Sequence, residues 1–229
     1  MSDALAPVIT IDGPSSSGKG TISQMLAKKL RWHFLDSGAL YRVLAYAAQL
    51  HAVELSNHQA LEVLASHLDV QFKANKIGIP PHVILEGNDV TDVIRNEECG
   101  RNASVVSAIK GVREALLERQ RAFRQHPGLV ADGRDMGTVI FPDAKLKIFL
   151  TASVEVRAER RVRQLNEKGV EATFDQILHD LTERDTRDRS RIYAPMMPAP
   201  EAIIIDTTGL SIEEGLNQVL LEKEKYFNQ

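Results

Sequence analysis

The stretch Gly13-Pro14-Ser15-Ser16-Ser17-Gly18-Lys19-Gly20-Thr21 constrains this chain more than any other. It follows the apolar run Val8-Ile9-Thr10-Ile11. It opens a segment from Thr21 to Arg31 in which Ile22, Met25, Leu26 and Leu30 recur at helical spacing. A buried strand, a glycine loop, a lysine, a hydroxyl and a helix, in that order, make a site for phosphate groups. Glycines let the backbone turn tightly and aim its N–H groups at an anion. The helix N-terminus adds the positive end of its dipole. Lys19 is expected to reach the outer phosphates of a nucleotide, and a neighbouring hydroxyl to serve magnesium. An ordinary glycine turn needs neither the lysine nor the preceding strand. One departure stands out: Gly20 occupies the place where the usual pattern has Ser or Thr, and Thr21 follows it.

With 229 residues the chain can form one sizeable α/β unit carrying a small insertion. A net charge of −3 argues against a nucleic-acid surface, so phosphate binding must come from local arginines. Cys99 is the only cysteine, which excludes an internal disulfide and leaves no cysteine metal site. Met1-Ser2-Asp3-Ala4 lacks the basic start of a signal peptide, and Arg42 interrupts the longest apolar candidate, Ala39 to Leu50. A cytoplasmic monomer without membrane or nucleic-acid partners is expected.

Apolar runs at Val8–Ile11, Phe34–Asp36, Leu129–Ala131, Leu146–Leu150 and Ala202–Ile205 alternate with helical segments. That alternation predicts a parallel sheet covered on both faces. Helices are expected over Ala39–Ala52, from Ser56 with a Ser56/Gln59 capping box, and from Glu97 to Gln125 with a break at Gly111. Further helices are expected over Ser153–Lys168, from Thr173 (boxed by Gln176) to Arg189, and from Ser211 (boxed by Glu214). Between Leu68 and Gly87 the texture changes to short alternating runs. Turns at Asn75–Pro81 and Gly87-Asn88-Asp89 predict a small antiparallel insert there.

Three further groups carry chemistry. Asp36-Ser37-Gly38-Ala39-Leu40-Tyr41-Arg42 follows a strand beside the glycine loop, where ligands of parallel sheets bind. Ser37 and Arg42 suit an anion; alone, Arg42 reads more often as a surface arginine, and only beside a phosphate loop do the two readings balance. Asp132-Gly133-Arg134-Asp135-Met136-Gly137-Thr138 leaves the next apolar strand, with Asp132 where a magnesium-organising aspartate falls. From Thr151 to Arg191 there are eight arginines and one lysine. Arg157, Arg160 and Arg161 share one helical face, and Arg184, Asp188 and Arg191 another. Arg163, Arg187 and Arg189 read as surface residues, and Gly169 as a hinge between the two helices. The seven histidines are scattered and read as structural or exposed.

Assembled, these residues resemble the bacterial cytidylate kinases, a group of nucleoside monophosphate kinases. The likeness rests on Gly13–Thr21 in the glycine-lysine-glycine-threonine form, on Asp36-Ser37-Gly38 with Tyr41-Arg42, and on the run Asp132 to Ala144. Glu183-Arg184-Asp185 with Arg187-Asp188 and Arg191 completes it. The resemblance runs essentially end to end and accounts for Gly20. It implies a phosphate-loop fold with a core at residues 1–36, 107–156 and 190–229. An acceptor-binding region with its β insert would span 37–106, and an arginine-rich lid 157–189. It implies transfer of the ATP γ-phosphoryl group to CMP or dCMP, with magnesium held in part by Thr21 and Asp132.

Ser104, Arg113 and Asp135 would read the cytosine edge, and Arg184 and Asp188 the ribose. Ser37, Arg42, Arg134 and Arg191 would hold the acceptor phosphate. Lys19, Arg134 and a lid arginine would be catalytic. Arg160 is the first choice for that arginine, with Arg157 and Arg161 as alternatives. A kinase for UMP, AMP or another small acceptor is the competing reading. A GTP-reading switch lacks support, since Asn75-Lys76 leads to Ile77-Gly78 and not to a guanine-reading motif.

Overall fold

The computed structural model describes residues 5–73 and 81–227. Its centre is β1 (Val8–Asp12), every residue of which is buried. Burial on both faces is why that strand reads as one apolar run without alternation. Its neighbours are β6 (Leu129–Gly133) and β7 (Leu146–Thr151), flanked by β2 (His33–Asp36) and β8 (Ile203–Asp206). The order is β2-β6-β1-β7-β8, and every pairing is parallel. The register aligns Asp36 with Asp132 and Asp12 with Gly133. The carboxyl ends of three strands thus meet on one rim.

Successive residues of β1 point to opposite faces. Val8 joins a core with residues of α2 (Ser37–Leu50), α3 (His58–Ser66), α4 (Glu97–Val106) and α5 (Lys110–Arg121). Ile9 and Ile11 join another with α1 (Lys19–Leu30) and α8 (Ile212–Phe227). α6 (Val154–Asn166) and α7 (Phe174–Ser190) form a hairpin around a third, separate cluster of Ala158, Leu165, Ile177 and Leu181. Gly169 takes a positive φ (73°) in the link between them.

The insert is a three-stranded antiparallel sheet of β3 (Val70–Lys73), β4 (His82–Leu85) and β5 (Asn88–Asp89). The expected turn at 75–81 falls, apart from Pro81, outside the described residues. The second turn lies one residue earlier than expected. Glu86 and Gly87 form it, both at positive φ as a two-residue hairpin loop requires, while Asn88 and Asp89 pair with β4.

Two other expectations are corrected. The helix broken at Gly111 is instead broken at residues 107–109, and Gly111 sits in the first turn of α5. A Cβ on Gly111 would lie 2.1 Å from Cδ of Glu62, so the Glu62 side chain of α3 packs directly over this glycine. The cap of α3 is Asn57, whose side chain accepts from the Ala60 N–H, while Ser56 donates to Glu54. Asn at the N-cap replaces the Ser-Gln box because its amide oxygen reaches the same orphan donor. Of the other two boxes, that of Ser211 and Glu214 forms in both directions and that of Thr173 and Gln176 in one. Thr173 Oγ1 accepts from Gln176 N, and Ser211 and Glu214 bond reciprocally.

Candidate active site

The glycine loop is shaped by contacts that leave no space for side chains. Gly13 has φ 145°, and a Cβ there would stand 2.0 Å from the Leu150 carbonyl oxygen. Gly18 is left-handed (φ 87°) as the N-cap of α1. Ser17 Oγ donates to the Pro14 carbonyl at 3.1 Å, and Thr207 Oγ1 donates to the Ser17 carbonyl at 2.9 Å. The loop is therefore braced from within and from the end of β8.

Lys19 is buried and lies 3.7 Å from Asp132 Oδ1. Burial and the nearby Arg134 push the lysine pKa down, while burial pushes Asp132 up against the pull of Lys19. Gly20 faces the same carboxylate, since a Cβ there would be 3.3 Å from Asp132 Oδ2. The Gly20 departure thus makes room for Asp132. Asp132 Oδ1 is buried without a hydrogen-bond partner, and Thr21 is exposed on the first turn of α1. Two hard oxygen donors of this kind suit magnesium, which keeps most of its waters and takes few protein ligands. Among the described residues no cluster of three His, Cys, Asp or Glu side chains competes for a metal.

Across from the loop, one pocket is lined by Ser37, Arg113, Arg134, Asp135, Arg184, Asp188 and Arg191. Arg113 and Asp135 form a buried ion pair, and the Arg113 guanidinium lies 5.5 Å from the centre of the Tyr41 ring. Asp188 is shared by three partners. Ser104 Oγ donates to it at 3.3 Å, Arg134 Nε at 3.0 Å, and Arg191 pairs with it. Burial opposes its charge, but Arg134, Arg191 and Arg184 hold its carboxyl well below the usual range. Arg184 itself is pushed down to about 9 by burial and by Arg134. The second nitrogen of the Arg134 fork donates to Ser15 Oγ at 2.8 Å, so this one arginine bridges α7 and the glycine loop.

Arg42 is placed differently. It donates to the carbonyls of Ile94 (2.8 Å) and Asn96 (3.0 Å), packed against Gly100, where a Cβ would lie 2.8 Å from its Nη2. The three arginines expected on one face of α6 diverge to separate partners. Arg157 is buried, paired with Asp185 at 2.6 Å and donating to the Ser15 carbonyl at 3.1 Å. Arg160 donates to the carbonyls of Thr207 and Leu210, and Arg161 pairs with Glu97. Long side chains reach where carbonyls and carboxylates await them, so helical spacing alone does not sort them.

A search of family models matches residues 9–225 to cytidylate kinase. The chain belongs to the cytidylate kinase family. It is 61% identical over 216 residues to the cytidylate kinase of Stutzerimonas stutzeri, covering 94% of each chain. It is 59% identical over 217 residues to that of Pseudomonas savastanoi pv. phaseolicola, covering 95% of each. A solved structure of an uncharacterized protein from Eubacterium ventriosum aligns with TM-score 0.51 at 8% identity, covering 96% of this chain and 98% of that one. That likeness concerns the fold alone.

Membership of the cytidylate kinase family leaves two supporting residues that sequence reasoning passed over. Asp12 ends β1 and accepts from the N–H groups of Met136 and Gly137, both at 2.8 Å. An aspartate closing an otherwise apolar strand was its only signal. Gln120 is fully buried on α5 and accepts from Ser37 Oγ at 2.7 Å. Nothing in the amphipathic pattern of α5 distinguishes it.

Proposed function

We propose that this chain transfers the γ-phosphoryl group of ATP to CMP or dCMP, giving ADP and CDP or dCDP. The observation that carries the reading is the placement of two sites on one rim. The glycine loop with Lys19 faces a pocket containing the buried Arg113–Asp135 pair, and Arg134 spans the gap between them. Family membership supplies the acceptor class.

Cytosine presents an amino donor with ring acceptors beside it. Asp135 accepts from the amino group, and Arg113 and Ser104 donate to the acceptors. A buried pair built for that edge is left unsatisfied by other bases, which gives discrimination. Arg184 and Asp188 address the ribose. Ser37, Arg134 and Arg191 hold the acceptor phosphate, and Arg42 joins them, which requires it to turn from the Ile94 and Asn96 carbonyls. Gly13 to Thr21 cradle ATP, with Lys19 on its outer phosphates.

Phosphoryl transfer asks little covalent work of the protein, so positioning and charge neutralisation dominate. Magnesium, when bound near Thr21 and Asp132, supplies neutralisation of the phosphate charge. Arg160 takes the lid role over the transferring group, which requires it to leave the Thr207 and Leu210 carbonyls on closure. Residues 157–189 act as that lid and 37–106 as the acceptor-binding region, on a core of 1–36, 107–156 and 190–229. The enzyme works as a cytoplasmic monomer. No described helix is long and apolar enough to cross a membrane.

An ADP-release panel across nucleoside monophosphates at fixed ATP tests the reading. Rapid release with CMP and dCMP, and slow release with UMP, AMP and GMP, is expected. Release independent of CMP, or faster with another acceptor, overturns it.

A further inference from the structure

The Asp12 carboxylate is buried at the end of the central strand, one residue before the glycine loop. Its two oxygens are used separately. Oδ1 accepts from Met136 N and Oδ2 from Gly137 N, each at 2.8 Å. Those N–H groups begin a short π-helical turn, Met136–Ile140, a rare geometry that is frequently found at functional sites. Gly137 lets the turn press against β1, since a Cβ there would be 2.8 Å from Thr10 Oγ1. The residue that starts the turn is Asp135. Its carbonyl accepts from Val139 N at 2.9 Å and its side chain pairs with Arg113. Asp12 has no cationic partner among its bonds, and Asp132 and Asp135 lie close enough to oppose its charge. A carboxylate kept in so unfavourable a setting serves two adjacent backbone donors, one on each oxygen.

We propose that Asp12 is a positioning residue for base recognition: its two-oxygen clamp on Met136 and Gly137 sets where Asp135 stands relative to the glycine loop. The inference rests on the reading of Asp135 as the residue that accepts from the cytosine amino group. Asp12 touches neither substrate. It ties the strand that feeds the donor loop to the turn that carries the acceptor reader.

The test compares three variants by kcat/KM for CMP and UMP and by KM for ATP, with melting curves to show that each is folded. Asp12→Asn keeps the shape but offers one acceptor and a clashing N–H donor. Its CMP-to-UMP ratio is expected to fall about tenfold or more, since misplacement by an ångström costs ~100-fold. KM for ATP is expected to hold within about twofold. Gly137→Ala, which pushes the same turn away from Thr10 of β1, is expected to lower the ratio likewise, and it decides the matter if Asp12→Asn does not fold. Asp135→Ala is the reference. If Asp135→Ala lowers the ratio and the folded clamp variants leave it unchanged, this inference fails and the reading of Asp135 stands. If Asp135→Ala itself leaves the ratio unchanged, both fail.

Discussion

Arg113 on α5 and Asp135 at the head of the π turn form an ion pair in which each side chain is 3% exposed. Breaking such a pair leaves an uncompensated buried charge, at about 3–5 kcal/mol. Asp135→Ala should therefore lower Tm by roughly 10 °C. The same variant should lose CMP selectivity far more than ATP affinity. Steady-state kinetics with CMP, UMP and ATP check this, and equal losses for CMP and UMP would remove Asp135 from base reading.

Lys19 lies 3.7 Å from Asp132, and both are buried. Lys19→Met removes the charge while filling most of the space. Asp132, already raised by burial, can then take up a proton and limit the cost to the fold. Loss of one preorganised charge on the transferring group should cost kcat ~100- to 1,000-fold. Turnover near wild type in a folded Lys19→Met protein would contradict the role.

Arg157 and Arg160 separate a brace from the proposed lid residue. Arg157→Ala strands Asp185 in the interior and should destabilise by about 3–5 kcal/mol, read by urea unfolding. Arg160→Ala gives up hydrogen bonds to the Thr207 and Leu210 carbonyls and should cost about 2 kcal/mol. Its kcat, however, should fall by ~1,000-fold if it neutralises the transferring group. Unchanged kcat for Arg160→Ala, with loss in folded Arg157→Ala or Arg161→Ala, would move the role.

Asp12 predicts a pH dependence of stability. Burial pushes its carboxyl from 3.8 up to about 7 against its two backbone N–H bonds, and Asp135 and Asp132 act with burial. Between those values the folded chain holds a proton that the unfolded chain has lost. The Asp12 contribution is therefore greatest below about pH 4 and is lost as pH rises through about 7. Tm of wild type minus Tm of Asp12→Asn should fall across that window and then level. A difference that does not change with pH would refute the shift.

The parallel core was legible because its central strands read as mainly apolar runs, and because Ser211 with Glu214 and Thr173 with Gln176 carry their cap chemistry locally. Of the residues lining the pocket across from the glycine loop, Ser37, Arg134 and Asp135 were legible as motifs at strand ends, Arg184, Asp188 and Arg191 as one helical face, and Arg113 only through the family resemblance. What the sequence hid depends on tertiary neighbours. Gly111 reads as a helix break until Glu62 of α3 is seen against it. Arg157, Arg160 and Arg161 read as one charged face until Asp185, Thr207 and Glu97 draw them apart. Gln120 reads as an ordinary helix residue until Ser37 is placed beside it. Spacing along a chain reports direction, whereas partnership depends on what the rest of the fold brings within reach.

The α6–α7 hairpin has an apolar cluster of its own, confined to its two helices. Its ties to the rest of the molecule include Arg157 to Ser15, Arg160 to Thr207, Arg161 to Glu97, and Asp188 to Arg134 and Ser104. Mechanically it is a module with an internal spine and polar fasteners. Swinging it need not open that internal spine to water, but it must exchange one set of arginine contacts for another. In the closure proposed above, incoming phosphates would replace those carboxylates and carbonyls, so the substrates themselves would supply the contacts that hold a closed hairpin. Dissolved ions compete for the same fasteners, so ionic strength would bear on how readily the hairpin makes the proposed movement.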